Sequence, residues 1–188
     1  MFSYNGLIQN NLVSNNLSDD AGGGISGSGI IRNNLVVRNS ASRGGGMFYT
    51  RNIWNNTVCY NVGGGISWGS RFGNNIIWGN RSYQLDPQYS DIPSFSNIQN
   101  WTSGGEGNIS LDPQFVDAAN EDFHLRPTSP CIDAGTSIEN LLTDIEGNRR
   151  GIKGTTEQRG DGSNYDIGAF EYVPSSSAIS FKVWNMYE

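Results

Sequence analysis

Histidine is almost absent from this sequence, since His124 is the only one among 188 residues. A metal site built from several imidazoles is therefore excluded, and so is a catalytic pair that needs two histidines. His124 follows Phe123 in a short alternating stretch that predicts a strand, and no nucleophile motif accompanies it. We interpret His124 as a surface or capping residue rather than a catalytic base.

Charged residues are also few, and the net charge is −6. An acidic chain without a basic stripe is not expected to bind nucleic acid, because that binding depends on neutralising phosphates. Acids are rarest at the start of the chain, where Asp19 and Asp20 are the only ones before Asp86. A catalytic groove lined by paired carboxylates is therefore poorly supplied in this part of the sequence.

Cysteines are rare and long apolar runs are absent. The two cysteines, Cys59 and Cys131, could form a disulfide or remain as separate thiols, and they say little about the redox compartment. No run of 18 apolar residues occurs, so the sequence predicts no membrane-spanning helix.

Asparagine and glycine are abundant instead, with 23 and 25 residues. Many belong to a phrase written four times: an apolar residue, two further positions, Asn, two residues rich in β-branched types, two variable positions and Asn. The middle Asn recurs at Asn11, Asn34, Asn56 and Asn75, in steps of 23, 22 and 19 residues, with Gly-Gly-Gly-apolar segments between the phrases. A period of about 20 residues predicts a solenoid in which each repeat forms one turn.

A turn of about 22 residues suits three short strands and is too short for two helices with their connections. We therefore predict an all-β fold, a right-handed parallel β-helix with an irregular C-terminal cap. The predicted boundaries are residues 1–116 for the coils, 117–173 for the cap and 174–188 for a linker and tail. Like residues would stack in register and place three apolar columns in the interior. These columns are Ile8, Ile31, Ile53 and Phe72; Val13, Val36, Val58 and Ile77; and Ile25, Met47 and Ile66.

Two columns that should face outward are also largely apolar. Alternation along a strand turns Leu35 and Val37 away from the interior, and the equivalent positions in the fourth phrase are Ile76 and Trp78. A strand that is apolar on both faces is normally covered on both. We predict that the C-terminal third of the chain lies across this side of the solenoid.

The first phrase begins only a few residues after Met1. Its coil would present unpaired backbone groups and an open apolar cross-section, with no capping element before it. We expect that upstream coils and a leader have been lost, and that self-association through residues 1–30 covers this end.

Three segments carry a resemblance to a known family: Leu-Asp-Pro-Gln-Phe-Val-Asp at 111–117, Asp-Phe-His-Leu-Arg-Pro-Thr-Ser-Pro-Cys-Ile-Asp-Ala-Gly at 122–135 and Asp-Ile-Gly-Ala-Phe-Glu at 166–171. Together with the coils they resemble the choice-of-anchor Q group of secreted bacterial parallel β-helix proteins, within the broad pectate-lyase-like class. The resemblance covers about residues 5–173. It implies an exported protein, outside the cell or on its surface, in a group whose members mostly have no assigned activity.

Aromatic and arginine side chains fall on neighbouring coils and suggest a strip that binds sugars. Flat rings give apolar contact to sugar faces, and arginine supplies a charged fork for acidic sugars. The alternative for each residue is packing, either in the interior or beneath the cap. The candidate substrate-binding residues are Arg38, Phe48, Arg51, Tyr60, Trp68 and Arg71, with Tyr49 and Trp78 beside them.

Acidic residues cluster in the predicted cap. The segment 161–166 is rich in oxygen ligands and could hold Ca²⁺, the ion that β-helix lyases of the resembled class use, although it lacks the loop of an EF-hand. The alternative, which we favour, is a buried ion pair between an arginine and a carboxylate. The metal candidates are Asp161, Asn164 and Asp166, and the ion-pair candidates are Arg149 or Arg150 with Asp166 or Glu171.

The sequence favours an exported β-helix protein that engages extracellular polysaccharide. Action as a lyase or a glycoside hydrolase is left open, and no catalytic residue is identified. The competing hypothesis is a non-catalytic cell-surface or adhesive module, which the scarcity of acids in the coils supports. Likeness of fold alone does not establish an activity.

Overall fold

The computed structural model describes residues 6–27, 29–86, 88 and 90–174, so residues 1–5 and most of the predicted tail lie outside the described residues. The described chain is an all-β parallel solenoid of about four turns, which confirms the predicted fold class. The first three turns each contribute one short strand to each of three parallel sheets; the fourth contributes to the first two, and one further strand extends the second. Sheet 1 contains β1 (Gly6–Gln9), β4 (Gly29–Arg32), β7 (Arg51–Trp54) and β10 (Ser70–Gly73); sheet 2 contains β2 (Leu12–Ser14), β5 (Leu35–Val37), β8 (Thr57–Cys59), β11 (Ile76–Trp78) and β12 (Asn97–Ile98); sheet 3 contains β3 (Ile25–Ser26), β6 (Met47–Phe48) and β9 (Ile66–Ser67). An antiparallel hairpin of β13 (Phe115–Asp117) and β14 (Asp122–Leu125) encloses a 3-10 turn at Ala118–Asn120.

The strands pair in register, so equivalent residues of successive turns lie on top of each other. Ile31, for example, pairs with Ile8 on one side and with Ile53 on the other. The residues of the three predicted interior columns belong to one core cluster. All of these column residues are buried except Val13, which is partly buried. Burial of one such aliphatic side chain contributes about 1.5–3 kcal/mol, so these columns supply much of the stabilisation of the solenoid.

The middle Asn of each phrase forms a continuous ladder inside the solenoid. Asn34 donates both its backbone N–H and its Nδ2–H to Oδ1 of Asn56 at 3.0 Å. The same Nδ2 donates to the carbonyl of Ile8 in the preceding turn at 2.9 Å. Each carboxamide therefore satisfies backbone groups at a corner where the strand ladder is interrupted. The last Asn of each phrase forms a second ladder of Asn16, Asn39, Asn61 and Asn80.

The glycine triplets lie where successive turns approach most closely. A Cβ atom at Gly45 would collide with the carbonyl oxygen of Val62, and one at Gly46 would lie 2.6 Å from the carbonyl oxygen of Gly65. Glycine is therefore required at these positions for the backbones to stack.

The C-terminal segment lies along the outer face of sheet 2, as its outward apolar columns predicted. Leu35, Val37, Cys59 and Ile76 share a second core cluster with residues of the hairpin and of the segment that follows it, among them Phe123. The cap therefore covers the side of the solenoid. The downstream end of the solenoid is covered by residues that precede the cap in the sequence. There the N–H of Ile98 donates to the carbonyl of Ile109 at 3.0 Å.

The Asn directly before the middle Asn of the second, third and fourth phrases attaches this segment to the solenoid. Asn33, Asn55 and Asn74 have positive φ angles of 52°, 51° and 57°, a conformation that Asn tolerates. Nδ2 of Asn55 donates to the carbonyl of Asp166 at 3.1 Å, and Nδ2 of Asn74 donates to that of Thr136 at 2.6 Å. The two neighbouring Asn columns therefore have different roles, one inside the solenoid and one against the cap.

Cys59 and Cys131 are free thiols, and both are fully buried between sheet 2 and the cap. Burial raises the pKa of Cys59 and raises that of Cys131 to about 12. Because the thiolate is the reactive form, we expect neither thiol of the native protein to react with an aromatic disulfide reagent at pH 8. Both should react at once in denaturant. Stoichiometric reaction of the native protein without loss of its circular dichroism would contradict the burial of these thiols.

Candidate functional site

The structure divides the predicted sugar-binding strip between two corners of the solenoid. Tyr49 and Trp68 follow strands of sheet 3, whereas Arg38 and Tyr60 follow strands of sheet 2. All four have φ angles between 55° and 57°, which is uncommon for residues other than Gly, Asn and Asp. The equivalent corner residues Asn15 and Gly79 also have positive φ, so this conformation belongs to the repeat. Each corner is a candidate site because it presents aromatic side chains to solvent.

Tyr49 and Trp68 lie side by side on neighbouring turns. Their ring centroids are 6.2 Å apart with an interplanar angle of 44°, and the residues are 51% and 41% exposed. Arg51, Ser70 and Asp91 line the same open hollow of about 230 Å³. We call these five residues the aromatic platform. It combines two partly exposed aromatic side chains with a cation, a hydroxyl and a carboxylate.

The other two predicted residues on this side flank the platform. Arg71 is exposed, and its backbone N–H donates to Oδ2 of Asp91 at 3.2 Å. Phe48 is half-buried, and its ring lies 5.4 Å below the guanidinium of Arg43. Asp91 is not identifiable from the sequence, because it follows the last phrase and no repeat aligns it with the preceding turn.

The second corner contributes to a groove between sheet 2 and the hairpin, which we call the Tyr60 groove. Two adjoining hollows of about 520 and 550 Å³ share Tyr60 and Ala118. Burial raises the pKa of Tyr60. Arg38 is bound within the protein, because its Nη1 lies 2.6 Å from Oε1 of Glu121 and its Nη2 donates to the carbonyls of Ala118 and Ala119. Arg38 therefore holds the 3-10 turn against the solenoid and forms a wall of the groove.

His124 connects the hairpin to the cap. Nδ1 lies 2.6 Å from Oδ1 of Asp122, and Nε2 lies 3.1 Å from Oε2 of Glu146. Its ring also lies 4.4 Å from that of Phe170. Burial alone would lower the pKa of His124, but the hydrogen bonds with the two carboxylates outweigh it and raise the pKa above 6.5. The imidazolium is therefore favoured at this position, and the arrangement agrees with the predicted capping role.

Buried carboxylates organise the cap, where regular strands are scarce. Glu171 accepts hydrogen bonds from Nη1 of Arg150 at 3.1 Å and from the backbone N–H of Gly151 at 2.7 Å. This pair confirms the predicted buried ion pair and selects Arg150, since Arg149 is exposed. Burial raises the pKa of Glu171 to about 7, with Arg150 acting against the increase. The other buried carboxylates that accept only N–H donors are Asp133, Asp144 and Asp166.

The two carboxylates among the predicted Ca²⁺ ligands already accept hydrogen bonds from the protein. Asp161 lies at the surface and accepts hydrogen bonds from Thr136 and Ser163. Asp166 is buried, and both of its oxygens accept backbone N–H groups. Across the described residues, no group of three or more His, Cys, Asp or Glu side chains is placed to hold a metal ion. The geometry therefore favours the ion-pair hypothesis for this part of the cap.

We expect the protein to melt at a higher temperature at pH 5 than at pH 8. A group whose pKa is raised on folding contributes stability below its unfolded pKa and loses that contribution as the pH rises through its folded value. Glu171 loses its contribution between pH 4.5 and about 7, and His124 loses its own above 6.5. The difference should be roughly 5 °C or more in a calorimetric scan. Replacing Glu171 by Gln should reduce the pH dependence, and a higher melting temperature at pH 8 would contradict both assignments.

Comparison of the chain with protein-family models, with curated proteins and with solved structures finds no match. Within the part of the chain that the structure describes, no helix is long and apolar enough to cross a membrane.

Proposed function

We propose that this protein is an exported β-solenoid that binds extracellular polysaccharide through the aromatic platform. The observation that supports this most directly is the exposed pair of Tyr49 and Trp68, with ring centroids 6.2 Å apart on neighbouring turns. Turns of a parallel solenoid repeat every 4.7–4.9 Å or so, so the rings form a short row along the solenoid axis. Successive sugar units can stack on such a row through their apolar faces.

Charge supports an acidic sugar as the ligand. Six arginines and two aspartates precede residue 86, so the first four turns are basic although the whole chain is acidic. Arg51 lines the platform and Arg71 flanks it, and both are exposed. Guanidinium groups bind carboxylates with two parallel hydrogen bonds. We therefore expect acidic polysaccharides to bind more tightly than neutral ones, and the difference to shrink as salt is added.

The platform supports binding more than cleavage. Hydrolysis of a glycoside normally uses two carboxyl groups, and Asp91 is the only carboxylate that lines the platform among the described residues. We therefore favour a non-catalytic surface or adhesive module, with lyase or hydrolase action as the alternative that the same experiment tests.

Replacing Trp68 by Ala should weaken polysaccharide binding about tenfold, because one of two stacking surfaces is lost. Tyr49→Ala should have a similar effect. Affinity electrophoresis in gels that contain acidic or neutral polysaccharides measures both changes, and each polysaccharide is also assayed for new reducing ends and unsaturated ends.

Tyr60→Ala is the matched control, since Tyr60 is also an exposed aromatic residue with positive φ but lies in the other groove. Binding that is lost in Tyr60→Ala and retained in Trp68→Ala would place the ligand in the Tyr60 groove. Release of new chain ends would support the enzymatic alternative, and absence of both binding and turnover would overturn the proposal.

A further inference from the structure

The two charged members of the aromatic platform lie at different heights along the solenoid axis. Arg51 pairs with Ser70 of the next turn. Asp91 lies one turn further downstream, because its N–H donates to the carbonyl of Gly69 at 3.0 Å. Since turns repeat about every 4.8 Å, the backbones of Arg51 and Asp91 are separated by roughly 10 Å along the axis. The platform is therefore positive at its upstream end and negative at its downstream end.

The two rings divide between these ends. Tyr49 and Arg51 lie two residues apart on one turn. Trp68 and Ser70 lie two residues apart on the next turn. A sugar stacked on Tyr49 would therefore have a guanidinium beside it. A sugar stacked on Trp68 would instead have the hydroxyl of Ser70 and the carboxylate of Asp91 beside it.

The backbone fixes the position of Asp91. Its N–H is bound to the preceding turn, and its Oδ2 accepts the N–H of Arg71 at 3.2 Å. Because Asp91 is exposed, its carboxylate can also accept a hydroxyl or an amide N–H from a ligand. Arg71 is exposed next to it, so a positive and a negative charge oppose each other at this end of the platform.

The turn that carries Asp91 has a second acid, Asp86. Oδ2 of Asp86 accepts a hydrogen bond from the hydroxyl of Ser67 at 2.9 Å. In the sequence, residues 21–85 contain arginines but no acid, so the turn of Tyr49 is basic. The charge of the protein therefore changes sign along the row of rings.

We propose that the aromatic platform selects polysaccharides in which acidic and neutral units alternate over polymers in which every unit is acidic. The acidic unit stacks on Tyr49 with its carboxylate on Arg51. The neutral unit stacks on Trp68 and donates a hydroxyl or an amide N–H to Asp91. A second carboxylate at Trp68 would meet Asp91 as a like charge, which opposes binding. This inference rests on the proposed function, because it specifies the ligand of the same site.

The test compares three acidic polymers by affinity electrophoresis at low and at moderate salt. They are polygalacturonate, its partly methyl-esterified form, and hyaluronate, in which a uronate alternates with an N-acetylated hexosamine. The first two share one backbone and differ only in whether neutral units lie next to acidic ones. The parent protein should bind hyaluronate and the esterified polymer more tightly than polygalacturonate, although polygalacturonate carries the most charge.

Replacing Asp91 by Asn should shift this preference. The affinity for polygalacturonate should rise about threefold relative to that for hyaluronate, because the like charge is removed while an oxygen acceptor is kept. Asp19→Asn is the matched control, since it removes one exposed carboxylate from the first turn, and it should leave the ratio unchanged. Arg51→Gln should weaken the binding of hyaluronate at least about threefold.

Tighter binding of polygalacturonate than of its esterified form by the parent would overturn this inference, and so would an unchanged ratio in Asp91→Asn with its circular dichroism intact. Either result would leave the binding of acidic polysaccharide standing. Failure of the parent to bind these polymers or a neutral glucan would instead overturn the proposed function itself. The comparison of polymers on the parent does not depend on the folding of any variant.

Discussion

Replacing Asn56 by Asp is expected to destabilise the protein more than replacing it by Ala, although Asp has nearly the shape of Asn. Asn56 is fully buried, and its Nδ2 donates to the carbonyls of Ile31 and Trp54 and to Oδ1 of Asn75, at 2.9, 3.0 and 3.1 Å. Aspartate would place a charged acceptor against these three acceptors. Alanine only leaves Asn34 without its acceptor and the carbonyls without a donor, at a cost on the order of 3 kcal/mol.

Denaturant unfolding at pH 7 and at pH 4 measures the effect. The Asn56→Asp variant should recover part of its stability at pH 4, because a protonated carboxyl can again donate one hydrogen bond. Asn16→Asp is the matched control, since Asn16 belongs to a ladder of the same kind but is exposed at its first position. Its loss should be much smaller. Equal losses at the two positions would mean that the ladder is not a buried element of the fold.

The repeat made the solenoid predictable. Its period fixes the register between strands of successive turns, and also which side chains point into the interior. Residues such as Val36 and Ile53 recur in apolar columns, and stacking in register is the arrangement that buries them all. The position of the cap was also predictable, since Leu35 and Val37 are apolar on the outward face and need a cover. Burial pattern was sufficient for both conclusions, and no knowledge of individual contacts was needed.

The roles of individual polar residues were not predictable in the same way. Asn55 and Asn56 are identical in type and adjacent, yet one docks the cap and the other extends the ladder. The difference depends on the backbone conformation at the corner, which places Asn55 at a φ of 51°. Likewise, Trp68 and Tyr60 appeared to belong to one strip, but the strands before them lie in different sheets. The repeat therefore shows which residues stack on one another in successive turns. It does not show which stacks lie at the same corner of the solenoid and could bind one ligand together.

The choice between Arg149 and Arg150 shows the same limit and leads to the second large effect. Arg150 is 3% exposed. Its Nη1 donates to Glu171, and its Nη2 donates to Oδ1 of Asn33 at 2.9 Å and to the carbonyl of Gly168 at 3.0 Å. One guanidinium therefore joins the buried carboxylates of the cap to the outward Asn column of the solenoid. We expect Arg150→Met to lower the free energy of unfolding by about 3–5 kcal/mol at pH 8, whereas Arg149→Met should change it by about 0.5 kcal/mol or less.

The pH dependence of this loss separates an unpaired charge from a simple packing defect. Without Arg150, Glu171 would be a buried carboxylate with no cation beside it, and burial already raises its pKa to about 7. At pH 5 the carboxyl takes up a proton and the charge disappears, so the loss caused by Arg150→Met should be clearly smaller there than at pH 8. The double variant Arg150→Met with Glu171→Gln should recover much of the loss at pH 8, because it removes the charge together with its partner. Equal losses at both pH values, with no recovery in the double variant, would show that Arg150 acts only by filling space.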